Sequence, residues 1–134
     1  MVRRMPSGKR RGFTFVELMV VITILVILVT MAIPIYNKTI LRSKESVLMN
    51  NLTTLRTVID NYTFDKQKAP QNLQDLVAEG YLRDVPMDPM TGVRNWRTIP
   101  EPPGQSVSQA EPGIYDVKST SDKTGLDGVP YAEK

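Results

Sequence analysis

A single carboxylate, Glu17, heads a run without any ionisable group, residues 18–33 (LMVVITILVILVTMAI). A carboxylate inside a membrane segment costs a few kcal/mol on insertion scales, and such residues are usually paired and functional. The chemistry open to Glu17 is therefore pairing with a cation. Acid–base or nucleophilic catalysis has little to work with, because the 134-residue chain contains no His and no Cys. That removes the commonest general base, the commonest metal ligand and every thiolate. There is no Gly-rich phosphate loop, and the remaining acids are scattered. The chain reads as a non-enzyme.

The elements that position Glu17 follow from charge and hydropathy. Arg3, Arg4, Lys9, Arg10 and Arg11 precede Gly12 with no acid among them. Setting these five aside, 12 of the 17 basic side chains remain against 14 acidic ones, so the net charge of +3 belongs to the first residues. The basic character is thus no sign of nucleic-acid binding, and no polybasic or aromatic nucleic-acid surface is evident; Trp96 reads as core. A cationic stretch directly before an apolar run instead retains its end in the cytoplasm. From Phe13 to Pro34 a helix extends about 33 Å at roughly 1.5 Å per residue, enough for a hydrocarbon core of roughly 30 Å.

A cleaved secretory signal shares this layout, but no small-x-small site follows the apolar run. A plain signal anchor accounts for everything except Glu17. The segment Gly12-Phe13-Thr14-Phe15-Val16-Glu17, basic before and aliphatic after, resembles the class III signal of type IV prepilins and pseudopilins, and the match spans residues 8–36. The resemblance implies cleavage after Gly12 by a membrane-bound prepilin peptidase and N-methylation of Phe13. It also implies a pairing between Glu17 and the new N-terminus of a neighbouring subunit. Pro34 falls where these helices typically carry a proline. The implied organisation is a leader over 1–12, a transmembrane and assembly helix over 13–36, and a periplasmic stem and head over 37–134.

Helix is expected to continue through Pro34, which can kink a membrane helix without ending it. Beyond residue 41 the pattern turns amphipathic: Leu48, Leu52, Leu55, Ile59 and Tyr62 step by four, three, four and three, with Val47 and Val58 flanking. Lys44, Glu45, Arg56 and Asp60 are assigned to other faces. Residues 66–71 break the helix. A short second helix follows around Leu73, Leu76 and Val77, with Asn72 as N-cap and Gly80 as C′. Strands are expected at 95–99 and 113–118, a third near 128–131, and a solvated Pro-rich loop around 100–112. The fold class is α+β: a long N-terminal helix, transmembrane in one half and amphipathic in the other, packed on a small antiparallel sheet in the manner of pilins.

Tyr81-Leu82 and Pro86-Met87-Asp88-Pro89 resemble the stretch of major pseudopilins (general secretion pathway protein G-like) that leads from the helical half to the sheet. Here Met90-Thr91-Gly92 follows, where that family usually has Trp-Gly. The resemblance extends to Tyr115-Asp116-Val117 and the loop after it. Residues 119–128 read by composition as a surface turn. In major pseudopilins a calcium site lies there, which implies Asp122, Asp127 and the carbonyl of Thr120 as ligands. This loop is shorter and less acidic than usual, and it contains Lys123.

The function implied is a structural subunit of a type II secretion pseudopilus, held in the bacterial inner membrane with its N-terminus cytoplasmic and its head periplasmic. Its partners would be further copies of itself, minor pseudopilins, the prepilin peptidase and an inner-membrane assembly platform. Two readings stand beside it. One is a type IV pilin or minor pilin for adhesion, twitching or DNA uptake, many of which close a loop with a disulfide that this chain cannot form. The other is a signal-anchored periplasmic protein with no filament role.

Overall fold

The computed structural model describes residues 1–3, 8, 12–106 and 111–134. Arg4, Lys9, Arg10 and Arg11 of the basic leader lie outside the described residues, as does part of the Pro-rich loop. The described chain divides into two compact units, Met1–Thr39 and Ile40–Lys134. One helix, α1 (Phe15–Lys66), runs without interruption through residues of both.

In the first unit α1 begins on a cap. Thr14 Oγ1 accepts the backbone N–H of Glu17 at 3.1 Å, and Thr14 O accepts that of Leu18, so two donors of the first turn are satisfied locally. The hydroxyls that follow are also satisfied within the helix: Thr23 donates to Met19 O and Thr30 to Val26 O, both at 2.8 Å. Such back-bonding lets threonine sit in an apolar segment without an unmet polar group. Pro34 lies inside the helix and does not end it. The segment is long and apolar enough to cross a membrane, and every residue from Gly12 to Ile40 is exposed.

The second unit is built on the rest of α1. Leu48, Leu52, Leu55, Ile59 and Tyr62 are all buried, as the periodicity predicts. Val58 packs against this core, but Val47 is 49% exposed and does not belong to the stripe. The helix ends at Lys66, where Gln67 turns to a φ of 56° and its Nε2 donates to Phe64 O, an αL closure made without glycine. Helix α2 (Leu73–Ala78) carries the capping box expected at its start. Asn72 Oδ1 accepts the Asp75 N–H while Asp75 Oδ2 accepts that of Asn72. Gly80, with a φ of 80°, follows its end. Leu76 of α2, Val85 and Trp96 complete one side of the core, and the Trp96 indole donates to Pro86 O at 2.8 Å.

Strands β1 (Trp96–Pro100) and β2 (Ile114–Ser119) form a two-stranded antiparallel sheet, pairing Trp96 with Ser119 and Thr98 with Val117. The alternation expected along β2 is broken. Ile99 pairs with Asp116 but Pro100 with Ile114, so Tyr115 is an extra residue on β2 and points outward, 59% exposed. This bulge keeps both Ile114 and Val117 in the core although they are three residues apart. The third strand expected near 128–131 is not formed. A single bridge links Thr124 to Pro130, and Tyr131–Glu133 make a 3₁₀ turn. Gly128 at a φ of 79° and Pro130, which has no N–H to donate, preclude a ladder there.

Candidate functional site

The peptide bond between Gly12 and Phe13 lies just before α1, in backbone that is not helical. Phe13 is 86% exposed, and a Cβ built on Gly12 would meet nothing within 4 Å. Its φ is outside the left-handed region, so neither space nor conformation requires glycine at position 12. Glu17 sits in the first turn of α1, where the unpaired N–H groups and the helix dipole favour a negative charge. It is exposed and makes no ion pair among the described residues. The arrangement offers an accessible Gly12–Phe13 peptide bond and, about one helical turn on, a carboxyl group without an ion pair among the described residues, at the edge of an apolar surface.

In the second unit two charged residues of α1, assigned from sequence to solvent faces, instead bind the head. Glu45 Oε1 accepts the Leu126 N–H at 2.8 Å and the Tyr131 hydroxyl at 2.7 Å. These two hydrogen bonds hold its carboxyl below the usual range. Burial, then the bond to Glu45, push the Tyr131 hydroxyl up to about 12. Arg56 donates Nε to Asp116 at 2.6 Å, and Nη2 to Val117 O and to the main-chain oxygen of Lys134. Glu45 lies three residues before Leu48, and Arg56 four after Leu52 and three before Ile59, so both continue the helical spacing of the buried stripe. That spacing was the signal; their polarity hid it. A buried pair on the head side had none: Ser119 Oγ donates to Asp88, which is fully buried and also accepts the Met90 N–H.

Of the residues expected to ligate calcium, Asp127 is turned to other partners. Asp122 is exposed, and Thr120 Oγ1 donates to Asn95 O at 3.3 Å. Asp127 Oδ2 is 2.8 Å from the Lys134 ammonium and Oδ1 accepts the Val129 N–H, which together lower its pKa. Calcium takes six to eight oxygens at about 2.3–2.6 Å. Among the described residues no group of three or more acidic side chains is placed to hold a metal ion. Hydrogen-bond donors from Val129 and Lys134 converge on the Asp127 carboxylate.

The family model described as the prokaryotic N-terminal methylation motif matches residues 7–33. Over 144 residues the chain is 30% identical to the type II secretion system core protein G of Pectobacterium carotovorum subsp. carotovorum, covering 95% of this chain and 83% of that protein. The chain belongs to the type II secretion pseudopilin family. This pseudopilin is also 29% identical to the type II secretion system core protein G of Klebsiella michiganensis, over 94% of its own length and 90% of that relative. A shorter similarity, 40% over 62 residues, joins it to the type IV major fimbrial protein FimA of Dichelobacter nodosus, covering 46% of this chain and 39% of that one. No solved structure matches it significantly. Pseudopilins are structural, pilin-like proteins and not enzymes. The methylation motif and the apolar start of α1 fit a membrane-anchored protein of the secretion system.

Proposed function

We propose that this pseudopilin is a polymerising subunit of a periplasmic filament that drives protein export in type II secretion. In this reading prepilin peptidase removes residues 1–12 and methylates Phe13. Residues 13–36 cross the inner membrane with the N-terminus cytoplasmic, and residues 37–134 form the periplasmic stem and head. Further copies, minor pseudopilins and an inner-membrane assembly platform are its partners.

The observation that carries the proposal is Glu17, without an ion pair among the described residues, in the first turn of an apolar, exposed helix segment close to the terminus that cleavage would create. A cut after Gly12 leaves an α-ammonium on Phe13 where the helix enters the apolar phase. Burying either charge alone is costly, whereas together they attract strongly at low dielectric. Pairing the Glu17 of an incoming subunit with the Phe13 ammonium of its neighbour sets axial register and admits only processed chains. Pro34 accommodates the bend that packing of such helices demands. The test is Glu17→Leu, followed by membrane fractionation, mass of the native N-terminus and recovery of sheared filaments. The variant is expected to insert and be cleaved yet yield no filaments; normal filaments would exclude the proposed pairing.

A type IV pilin serving adhesion, twitching or DNA uptake is the second reading, favoured by the similarity to FimA. That similarity spans less than half of this chain, whereas the protein G relatives span nearly all of it. A deletion strain that loses exoprotein secretion but keeps motility supports the first reading; the reverse supports the second.

A further inference from the structure

We propose that the Lys134 ammonium serves as the built-in cation of the carboxy-terminal loop, so that this head closes without calcium. Gly125 marks the centre of the arrangement. A Cβ built there would lie 2.8 Å from Asp127 Oδ1, 2.9 Å from Lys134 Nζ and 3.0 Å from Glu45 Oε1. Two carboxylates from distant parts of the chain and one ammonium therefore converge on one spot. Lys134 Nζ bonds Asp127 Oδ2 at 2.8 Å and stands 5.5 Å from the centroid of the Tyr131 ring. The Lys134 side chain is only 13% exposed, while its Asp127 partner keeps 55% of its side chain in solvent.

Calcium binding needs inward-facing oxygens with free lone pairs. Here the groups that meet the two carboxylates are donors: the N–H groups of Leu126 and Val129, the Tyr131 hydroxyl and the ammonium itself. A divalent ion would have to displace Lys134 and then face those same N–H dipoles. The ammonium also does more than neutralise charge. It ties the loop, through Asp127, to the last residue of the tail, and Glu45 ties the loop to α1. The tail is held in turn by cationic side chains on its main-chain oxygens: Arg97 on Ala132, Lys118 on Glu133 and Arg56 on Lys134.

The full-length protein in detergent micelles carries its own probe, since its one tryptophan, Trp96, is 5% exposed in the head core. Thermal unfolding followed by Trp96 fluorescence is expected to give the same midpoint in excess chelator and in millimolar calcium. A rise of the wild-type midpoint with calcium would overturn the proposal, whatever the variants do. Lys134→Met, which keeps the aliphatic stem, is expected to lower the midpoint by at least about 4 °C, while Lys134→Arg stays near wild type. An unchanged midpoint in Lys134→Met would also refute it. Asp127→Asn supplies a readout that a packing role would not move. It is expected to lower the midpoint in the wild-type background and to raise it in the Lys134→Met background, where the Asp127 charge repels Glu45 with no ammonium to offset it and the asparagine oxygen still accepts the Val129 N–H. The same sign in both backgrounds would sink the idea.

Discussion

Arg56 of α1 holds Asp116 of β2, guanidinium Nε to carboxylate Oδ1, at 2.6 Å, across 60 residues of sequence. The same side chain donates Nη2 to Val117 O at 3.1 Å and to the main-chain oxygen of Lys134 at 2.7 Å. One planar fork thus joins the stem helix, the inner strand and the tail. Only arginine can serve three acceptors in this geometry.

Arg56→Ala should therefore destabilise the head by about 2 kcal/mol, because it strands a carboxylate and two main-chain acceptors that are partly shielded from water. Arg56→Lys should recover less than half of that, since an ammonium cannot reproduce the fork. Urea unfolding of the full-length protein in detergent, read at Trp96, measures both. Equal stability of the lysine variant and wild type would show that charge alone suffices.

At Gly113 the chain passes close against Ala69. A Cβ there would lie 2.6 Å from Ala69 Cβ and 2.8 Å from the Ala69 carbonyl carbon and oxygen. The neighbouring backbone is pinned on both sides, Ile114 N–H to Pro70 O at 2.7 Å and Glu101 N–H to Gly113 O at 2.9 Å. Gly113→Ala is expected to cost about 1–3 kcal/mol, the usual range for overpacking. Adding Ala69→Gly should restore only part, because two of the three clashes are with backbone. Complete rescue would mean that the loop can move.

Stability should fall at both ends of the pH scale, through Glu45, held by the Leu126 N–H and then Tyr131, and through Tyr131, shifted by burial and then by Glu45. Glu45 titrates below its ordinary 4.5, so its contribution is present above that value and is lost as pH falls through the lower, folded pKa. Tyr131 is raised from 10.0 to about 12, so its contribution is present below 10 and is lost as pH climbs towards 12. Glu45→Gln should flatten the acid limb of a stability-versus-pH curve, and Tyr131→Phe the alkaline limb. A wild-type curve unchanged between pH 10 and 12 would contradict the assignment to Tyr131.

Gly12→Val should leave the head untouched, since nothing in the fold requires glycine at that position. The Trp96 melting curve of the variant should overlay that of the wild type. If the peptidase requires a residue without a side chain before the cut, the variant accumulates in the membrane as the uncleaved form. Mass spectrometry reads the outcome directly, and normal cleavage of the valine variant would remove the enzyme as the reason for Gly12.

The hydropathy step at Phe13, the basic residues before it and the carboxylate at Glu17 are one-dimensional facts, and so the apolar helix could be read directly, whereas a processing point at Gly12–Phe13 is implied only by the resemblance to prepilins. Periodicity likewise exposed the buried stripe from Leu48 to Tyr62, and the Asn72–Asp75 cap and Gly80 bounded α2, because helix signals lie within a few residues of each other. The bulge at Tyr115 was not legible, since its pairing partners on β1 decide it, whereas Gly128 and Pro130, which stop a third strand, stand in the sequence itself. Glu45 and Arg56 were misassigned for a related reason. Their spacing placed them on the buried face, but a charge is tolerated there only if a partner arrives from elsewhere. Only the tertiary fold brings Leu126, Tyr131 and Asp116 to meet them. The same holds for the carboxy-terminal loop: its sequence shows acids and a turn, while three-dimensional closure decides that an ammonium 7 residues away in the chain faces Asp127.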